Sequence, residues 1–197
     1  PVTVLDRPYH LSYPFIFEFE NNTYMIPETL ANRSIELYKC TEFPHKWEFQ
    51  KFLMQNCLAV DSTLFNWHGK WWLFANQVET VGASTWDELF LYYSASPTSD
   101  DWIPHPGNPI VSDARSARPA GRLFMHNQRI YRPSQNCSGH YGYGFNICEI
   151  TKLTETEYEE IVVTKVTPNW DKDVISTHTF NYEDGLTVVD CQIRRRK

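Results

Sequence analysis

Three stretches of this chain carry one pattern, and it limits the possible folds more sharply than any other feature. IFEFENNTYMIP (residues 16–27), LFNWHGKWWLFA (64–75) and LFMHNQRIYRPS (123–134) each place Phe second, then a polar turn, then an aromatic seven positions beyond that Phe. The pairs are Phe17/Tyr24, Phe65/Trp72 and Phe124/Tyr131, and the Phe positions lie 48 and 59 residues apart. Side chains alternate along a strand, and Asn21-Asn22, His68-Gly69 or Asn127-Gln128 supplies a tight turn, so each copy reads as a β-hairpin. A third strand follows each time: SIELYKC (34–40), ELFLYYSAS (88–96) and YGFNICEI (143–150). A Trp after a Pro marks a fourth element, at Pro44/Trp47 and Pro97/Trp102; EYEEIVVTKV takes that place in the third copy. A weaker fourth copy opens at HTFNYEDGLTVVD (178–190).

Four antiparallel strands recurring about every 50 residues are the signature of a β-propeller blade. The expected fold is all-β, a propeller of four-stranded antiparallel blades. The blades fall near 12–57, 58–115 and 116–175, with partial pieces at 1–11 and 176–197. Only TKLTETEYEE (151–160) offers a helical turn or two. Flat side chains fill the wedges between twisted sheets, so the aromatics of WHGKWW belong mainly to the core. Trp67 and Trp71 are the two that an outward turn would make sugar-stacking residues.

Composition narrows the function classes. The chain has 197 residues, 21% charged and 42% hydrophobic, which is globular rather than disordered. A net charge of -6 argues against a nucleic-acid partner. The basic run Arg194-Arg195-Arg196-Lys197 reads as a solvated tail. No run of about 18 apolar residues is present, so no membrane span is expected. The start lacks both a Met and the segments of a signal peptide, which suggests a trimmed chain or a fragment. Cys40, Cys57, Cys137, Cys148 and Cys191 are odd in number and lack C-x-x-C spacing, so free thiols in a reducing, cytoplasmic setting are expected. Against that stand three N-x-S/T triplets, at Asn21, Asn32 and Asn136, of which one or two are expected by chance.

HLSYPFIFEFENNTYMIPET, VDSTLFNWHGKWWLFA, ARPAGRLFMHNQRIYRPSQNCSGHYGYGFNICEIT and HTFN together resemble the N-terminal domain of the glucosamine inositol phosphorylceramide transferase family. The resemblance covers roughly residues 5–190. Similar domains stand beside glycosyltransferase or formyltransferase-like domains, so such a domain, fused or separate, is an implied partner. The resemblance also implies the five-bladed propeller of glycoside hydrolase family 43, with one more blade upstream. VTVLDRPYHLSYP then reads as the last strand of that missing first blade. Family 43 enzymes use an Asp base, an orienting Asp and a Glu acid on successive blades. Here the base would lie on the missing blade, HLSYP offers no carboxylate, and Asp61 stands where the family has Glu. These departures favour a sugar pocket without the hydrolytic machinery.

In a propeller the innermost strands gather their polar ends at one mouth of the axis. Residues before each repeat Phe are His10, Ser12 and Tyr13; Asp61 and Ser62; Arg118; and His178. Residues after each hairpin are Glu28, Asn76, and Gln135 with Asn136. Asp61 and Glu28 are the candidate catalytic carboxylates, as base or hydroxyl acceptor and as acid respectively. Arg118, whose loop Pro119 stiffens, suits a sugar hydroxyl, carboxylate or phosphate, or a structural pair with Asp61, Asp113 or Glu28. His10, Tyr13, His178, Asn76 and Gln135 complete the candidate substrate-binding set. CSGHYGYG (137–144) lacks the spacing of a phosphate loop and no zinc motif occurs, so no cofactor and no metal are expected. Three functions stay open: a carbohydrate-recognising module associated with glycan modification, a glycoside hydrolase or glycosyl-transferring enzyme, and a protein-binding scaffold.

Overall fold

The computed structural model describes residues 2–79, 82–183 and 185–194. It is all-β, with one 3-10 turn at Leu30–Asn32 as its helical element among the described residues. The first sheet has the order β1(Ser12–Phe19)-β2(Asn22–Glu28)-β3(Ser34–Glu42)-β4(Lys46–Gln55). The second runs β5(Ala59–Trp67)-β6(Lys70–Gln77)-β7(Glu88–Ser94)-β8(Ile103–Pro104), with β9(Val111–Ser112) also on β7. The third runs β10(Phe124–His126)-β11(Arg129–Asn136)-β12(Gly144–Leu153)-β13(Tyr158–Val166). After β14(Val174–Ser176) comes the hairpin β15(Phe180–Glu183)/β16(Leu186–Val189), and β17(Gln192–Ile193) returns to pair with β14.

The repeat is a repeat of register. Phe17 faces Tyr24, Phe65 faces Trp72 and Phe124 faces Tyr131 as direct cross-strand partners. Two of the pairs stack, with ring centroids 5.5 Å apart for Phe17/Tyr24 and 5.4 Å for Phe124/Tyr131. Each hairpin turns on two consecutive residues with positive φ: Glu20 (48°) and Asn21 (58°), His68 (50°) and Gly69 (74°), Asn127 (48°) and Gln128 (63°). That is the two-residue turn whose twist matches the flanking strands. The first turn lies one residue earlier than Asn21-Asn22, because the aromatic register fixes Phe19 opposite Asn22.

The unbroken apolar run of β6 follows from where its sheet lies. Leu73 and Ala75 join Phe17, Ile26, Leu37 and Leu64 in a core between the first and second sheets. Trp72 and Phe74 point the other way, into a core with Leu123, Ile130 and Ile150 of the third. The second sheet is thus buried on both faces, and a strand in that position has no polar side. Trp71 packs between sheets against Phe17 (6.0 Å) and Phe19 (5.8 Å), and Trp67 packs against the core on the opposite face, so neither stands out as a free stacking residue. Beyond the third sheet, Phe180 lies 5.6 Å from both Phe124 and Phe145, and Tyr182 lies 5.5 Å from Phe124.

Three expectations need correction. TKLTETEYEE forms no helical turn: β12 runs to Leu153, Thr154 Oγ1 accepts from the Glu157 amide at 2.9 Å, and β13 leads back. The fourth strand of the second sheet is split into the two-residue pieces β8 and β9, since Pro104, Pro106 and Pro109 have no N–H to give a ladder. VTVLDRPYH is not a strand. It lies along the first sheet instead, with Leu5 against Met25, Tyr38 and Trp47, and Tyr9 hydroxyl donating to buried Glu36 at 2.9 Å. Glu36 also accepts from the Tyr38 hydroxyl, Asn32 (2.6 Å) and Ser34 (3.0 Å), and burial, which pushes its carboxyl up, is outweighed by these donors, Tyr38 first, which hold it below the ordinary range.

All five cysteines are free thiols. No helix among the described residues is long and apolar enough to cross a membrane. Residues 195–197 of the basic run lie outside the described residues; the Arg194 amide donates to Asp173 at 2.8 Å.

Candidate functional site

The site is built by bulges that recur at the start of each inner strand. From Ser12↔Glu28 to Phe15↔Ile26, three steps of β1 span two of β2. From Val60↔Asn76 to Thr63↔Phe74, three steps of β5 span two of β6. In the third sheet the bridge Pro119↔Ser134 precedes Phe124↔Tyr131, five steps against three. An extra residue on one strand breaks the ladder and re-aims a side chain. Tyr13 and Asp61, each four before its repeat Phe, occupy the first two bulges with left-handed φ of 44° and 53°.

These bulges bring the carboxylates and Arg118 together. Arg118 Nε donates to Asp61 Oδ2 at 2.6 Å, its Nη2 lies 3.4 Å from Glu28 Oε2, and its Nη1 donates to Thr85 O (3.0 Å) and Oγ1 (3.2 Å). Gln135 Nε2 adds a second bond to Asp61 Oδ2 at 3.0 Å. The guanidinium thus joins the first and second sheets, through Glu28 at the end of β2 and Asp61 on β5, and Asp61 carries the network on to Gln135 on β11 of the third. Asp61 is 2% exposed, Arg118 6% and Glu28 9%, so the cluster is desolvated and its ion pairs count for more than surface pairs. Burial works against the charge of Arg118, but the Asp61 carboxylate outweighs it and holds the cation above its ordinary range. Burial first, and the Asp61 charge second, push the Glu28 carboxyl up to about 7. A hydrogen bond between Glu28 and Asp61 pushes it the same way.

A cavity of about 400 Å³ opens beside this cluster. Asp61, Arg118 and Gln135 line its floor; Tyr13, Arg122, Tyr141, His178 and Asn181 line its sides. The Arg118 Cζ sits 5.0 Å from the centre of the Tyr141 ring. Tyr13 hydroxyl pairs with Thr63 Oγ1 at 2.9 Å. His178 Nδ1 is hydrogen-bonded to Asp190 Oδ2.

Asp61, Arg118, Tyr13, Gln135 and His178 therefore share one pocket, and Glu28 reaches it through Arg118. Two candidates stand apart. His10 is exposed, ahead of the bulge that turns Tyr13 inward, and does not line the pocket. Asn76 is fully buried, its amide has no partner among the described residues, and it too is absent from the lining. It holds the repeat position of Glu28 and Gln135 but has a shorter side chain. Asp190, Tyr141, Arg122 and Asn181 were not among the residues expected. Asp190 and Asn181 lie in the weak fourth copy, and Arg122 lies within the SARPAGR bulge. Among the described residues no group of three or more His, Cys, Asp or Glu is placed to hold a metal ion.

The family model for the N-terminal region of glucosamine inositolphosphorylceramide transferase 1 matches residues 2–183. The chain belongs to this family. Glucosamine inositolphosphorylceramide transferase 1 of Oryza sativa subsp. japonica is 43% identical over 161 residues, covering 81% of this chain and 21% of the relative. The chain thus spans about a fifth of the length of that curated relative. In fold it is similar to five-bladed propeller enzymes of glycoside hydrolase family 43. The exo-beta-1,3-galactanase from Phanerochaete chrysosporium, crystallised with beta-1,3-galactotriose, matches with a TM-score of 0.62 and 10% identity, over 95% of this chain and 44% of that one. GH43B of the Bacteroides ovatus xyloglucan locus matches with a TM-score of 0.61 and 13% identity, over 91% of this chain and 35% of that one.

Proposed function

We propose that this family member is a carbohydrate-recognising propeller domain that works beside a glycan-modifying enzyme domain. The three sheets are its blades, at about 12–57, 58–115 and 116–175, stacked around an axis whose mouth is the Asp61–Arg118 pocket. Residues 1–11 and 176–197 belong to flanking blades of a five-bladed plan. The ligand is a sugar or glycoconjugate, and the companion is a transferase domain, a reading that fits the short share of the plant transferases this chain covers.

One observation carries this reading: three sheets place their bulged strand ends around a single concave site with buried polar groups, two tyrosines and a histidine. Concave sites with a few convergent polar groups and aromatic walls are built for small polar ligands.

Hydrolysis fits less well. Glycosidases hold their two carboxyl groups about 5 Å or about 6.5–9.5 Å apart, so that the scissile bond, or bond plus water, lies between. Here both carboxyl groups hold the same Arg118 guanidinium and Glu28 is hydrogen-bonded to Asp61, which leaves no room between them for a scissile bond. The arrangement sets the Arg118 cation against both carboxyl groups.

The test is a glycan array joined to an NMR titration with D-galactose, D-glucosamine and myo-inositol, and an aryl-glycoside turnover assay. Binding without turnover is expected, with shifts centred on Tyr141 and His178. A blank array together with no shift from any of the three probes would remove the carbohydrate reading.

A further inference from the structure

Resting on that carbohydrate reading, we infer that the pocket divides into a floor that holds its shape and a rim that touches the ligand. The ligand contacts are His178, Asn181, Arg122 and Tyr141, and Asp190 is the positioning residue for His178.

The division follows from counting hydrogen-bonding capacity. On the floor, Asp61 Oδ2 already accepts from Arg118 and from Gln135. Gln135 gives its remaining amide donor to Pro119 O at 2.9 Å. All three guanidinium nitrogens of Arg118 are engaged, by Asp61, Thr85 and Glu28. On the side wall, the Tyr13 hydroxyl is likewise engaged, by Thr63. A ligand that bonded these engaged atoms would exchange one hydrogen bond for another and gain little, and Asp61 and Arg118 are 2% and 6% exposed, which limits access to the rest of each group.

The rim is unsaturated. His178 Nε2, Asn181 Nδ2, Arg122 Nη1 and the Tyr141 hydroxyl have no partner among the described residues. Asn181 is fixed by its Oδ1, which accepts from the Arg122 amide at 3.0 Å. Arg122 is fixed by the Ile16 carbonyl and by lying 4.9 Å over the Phe15 ring, with Glu183 3.6 Å away on the solvent side. The rim groups are therefore held in place yet free to bond, which is the condition for a preorganised contact.

Asp190 organises the fourth. Its Oδ1 accepts from the His178 amide (2.9 Å), the Thr179 amide (2.7 Å) and Thr179 Oγ1 (3.0 Å), while its Oδ2 holds His178 Nδ1. A ring that donates from Nδ1 to a carboxylate presents Nε2 as an acceptor. The rim so offers one acceptor, at His178, beside N–H donors at Arg122 and Asn181. That pattern takes one ligand hydroxyl as donor and its neighbouring oxygens as acceptors, which is the chemistry of adjacent oxygens on a sugar or cyclitol ring.

The test uses the full chain and the same three probes, D-galactose, D-glucosamine and myo-inositol. Asn181→Ala and Tyr141→Phe should each weaken the probe that binds wild type by about tenfold, one hydrogen bond's worth, with the melting temperature unchanged. Thr85→Val, which removes a hydrogen bond to Arg118 from outside the pocket lining, should lower the melting temperature and leave affinity within about twofold. Rim variants that bind like wild type while Thr85→Val loses binding would overturn the division and leave the carbohydrate reading standing. A wild type that binds none of the probes would overturn the ligand half, and a blank array beside it would remove the carbohydrate reading as well. The Asp190 half is read without ligand, from imidazole ¹⁵N shifts at a pH where His178 is neutral. His178 should be the Nδ1–H tautomer in wild type and shift toward Nε2–H in Asp190→Asn; the same tautomer in both would overturn it.

Discussion

Glu28→Gln tests the electrostatics of the cluster most directly. In the unfolded chain Glu28 loses its proton near its ordinary value of 4.5; in the fold it keeps it to about 7. Between those values the folded state binds more protons than the unfolded one, so stability falls as pH rises. The contribution is fully present below about 4.5 and lost above about 7. A gap of this size corresponds to roughly 3 kcal/mol, at about 1.4 kcal/mol per pH unit. For a chain of this length that is a melting shift on the order of 6–12 °C. Gln has no proton to lose, and its amide still donates to Asp61 as protonated Glu28 does. The wild type should therefore match the variant to within a constant near pH 4.5, then lose ground to it by up to about 3 kcal/mol by pH 8. Urea unfolding of both proteins across that range measures the difference and cancels every other titrating group. Parallel curves would refute the raised carboxyl. A wild type that gained on Glu28→Gln as pH rose would mean that Arg118, not burial, governs Glu28.

Four further outcomes follow from the geometry. Arg118→Ala leaves Asp61 buried and unpaired and should cost about 3–5 kcal/mol in urea unfolding, partly recovered in the double variant with Asp61→Asn. Trp72→Ala empties the core between the second and third sheets and should cost about 3–5 kcal/mol by the same assay. Gly121→Ala would put a Cβ 2.0 Å from the Phe180 carbonyl at a φ of 149°, so β15 must move; a lower melting temperature and altered His178 and Asn181 resonances are expected. Gln128 has a φ of 63° in a turn that glycine fits without strain, so Gln128→Gly should stabilise by about 0.5–1 kcal/mol, read as a higher melting temperature.

The aromatic offsets in the sequence revealed more of this fold than any propensity did. An offset of seven between Phe17 and Tyr24 states a register, and a register with a two-residue turn leaves the chain little choice. The same logic located the strand ends where Glu28, Asp61, Arg118 and Gln135 meet. What escaped was set by tertiary context. That Tyr13 turns inward and His10 does not depends on a bulge, and a bulge is one extra residue with no composition of its own. That TKLTETEYEE becomes two strands depends on Ile150, Leu153 and Tyr158 finding the core of the second sheet, which overrides local preference. Asp190 was invisible because half of its partners are backbone amides, at 178 and 179, which carry no sequence signal.

The left-handed backbone of Asp61 ties these threads together. A φ of 53° costs a non-glycine residue about 1–2 kcal/mol, and Asp tolerates it better than most. Asn tolerates it equally, so Asp61→Asn removes the charge without moving the chain. Arg118 then has Glu28 as its one carboxylate partner, and the proton that Asp61 helped hold on Glu28 loses its second support. Burial, the larger cause, remains. The Glu28 carboxyl of Asp61→Asn should accordingly titrate below the wild-type value of about 7 yet above its ordinary 4.5, as followed by side-chain carboxyl ¹³C shifts. Asp61→Gly should give the same downward movement while relieving the backbone, so its melting temperature should exceed that of Asp61→Ala, in which Cβ strain persists. An unmoved Glu28 titration in Asp61→Asn would mean that Asp61 does not act on Glu28, and the reading that the two carboxyl groups lie too close to admit a glycosidic bond would lose its main support.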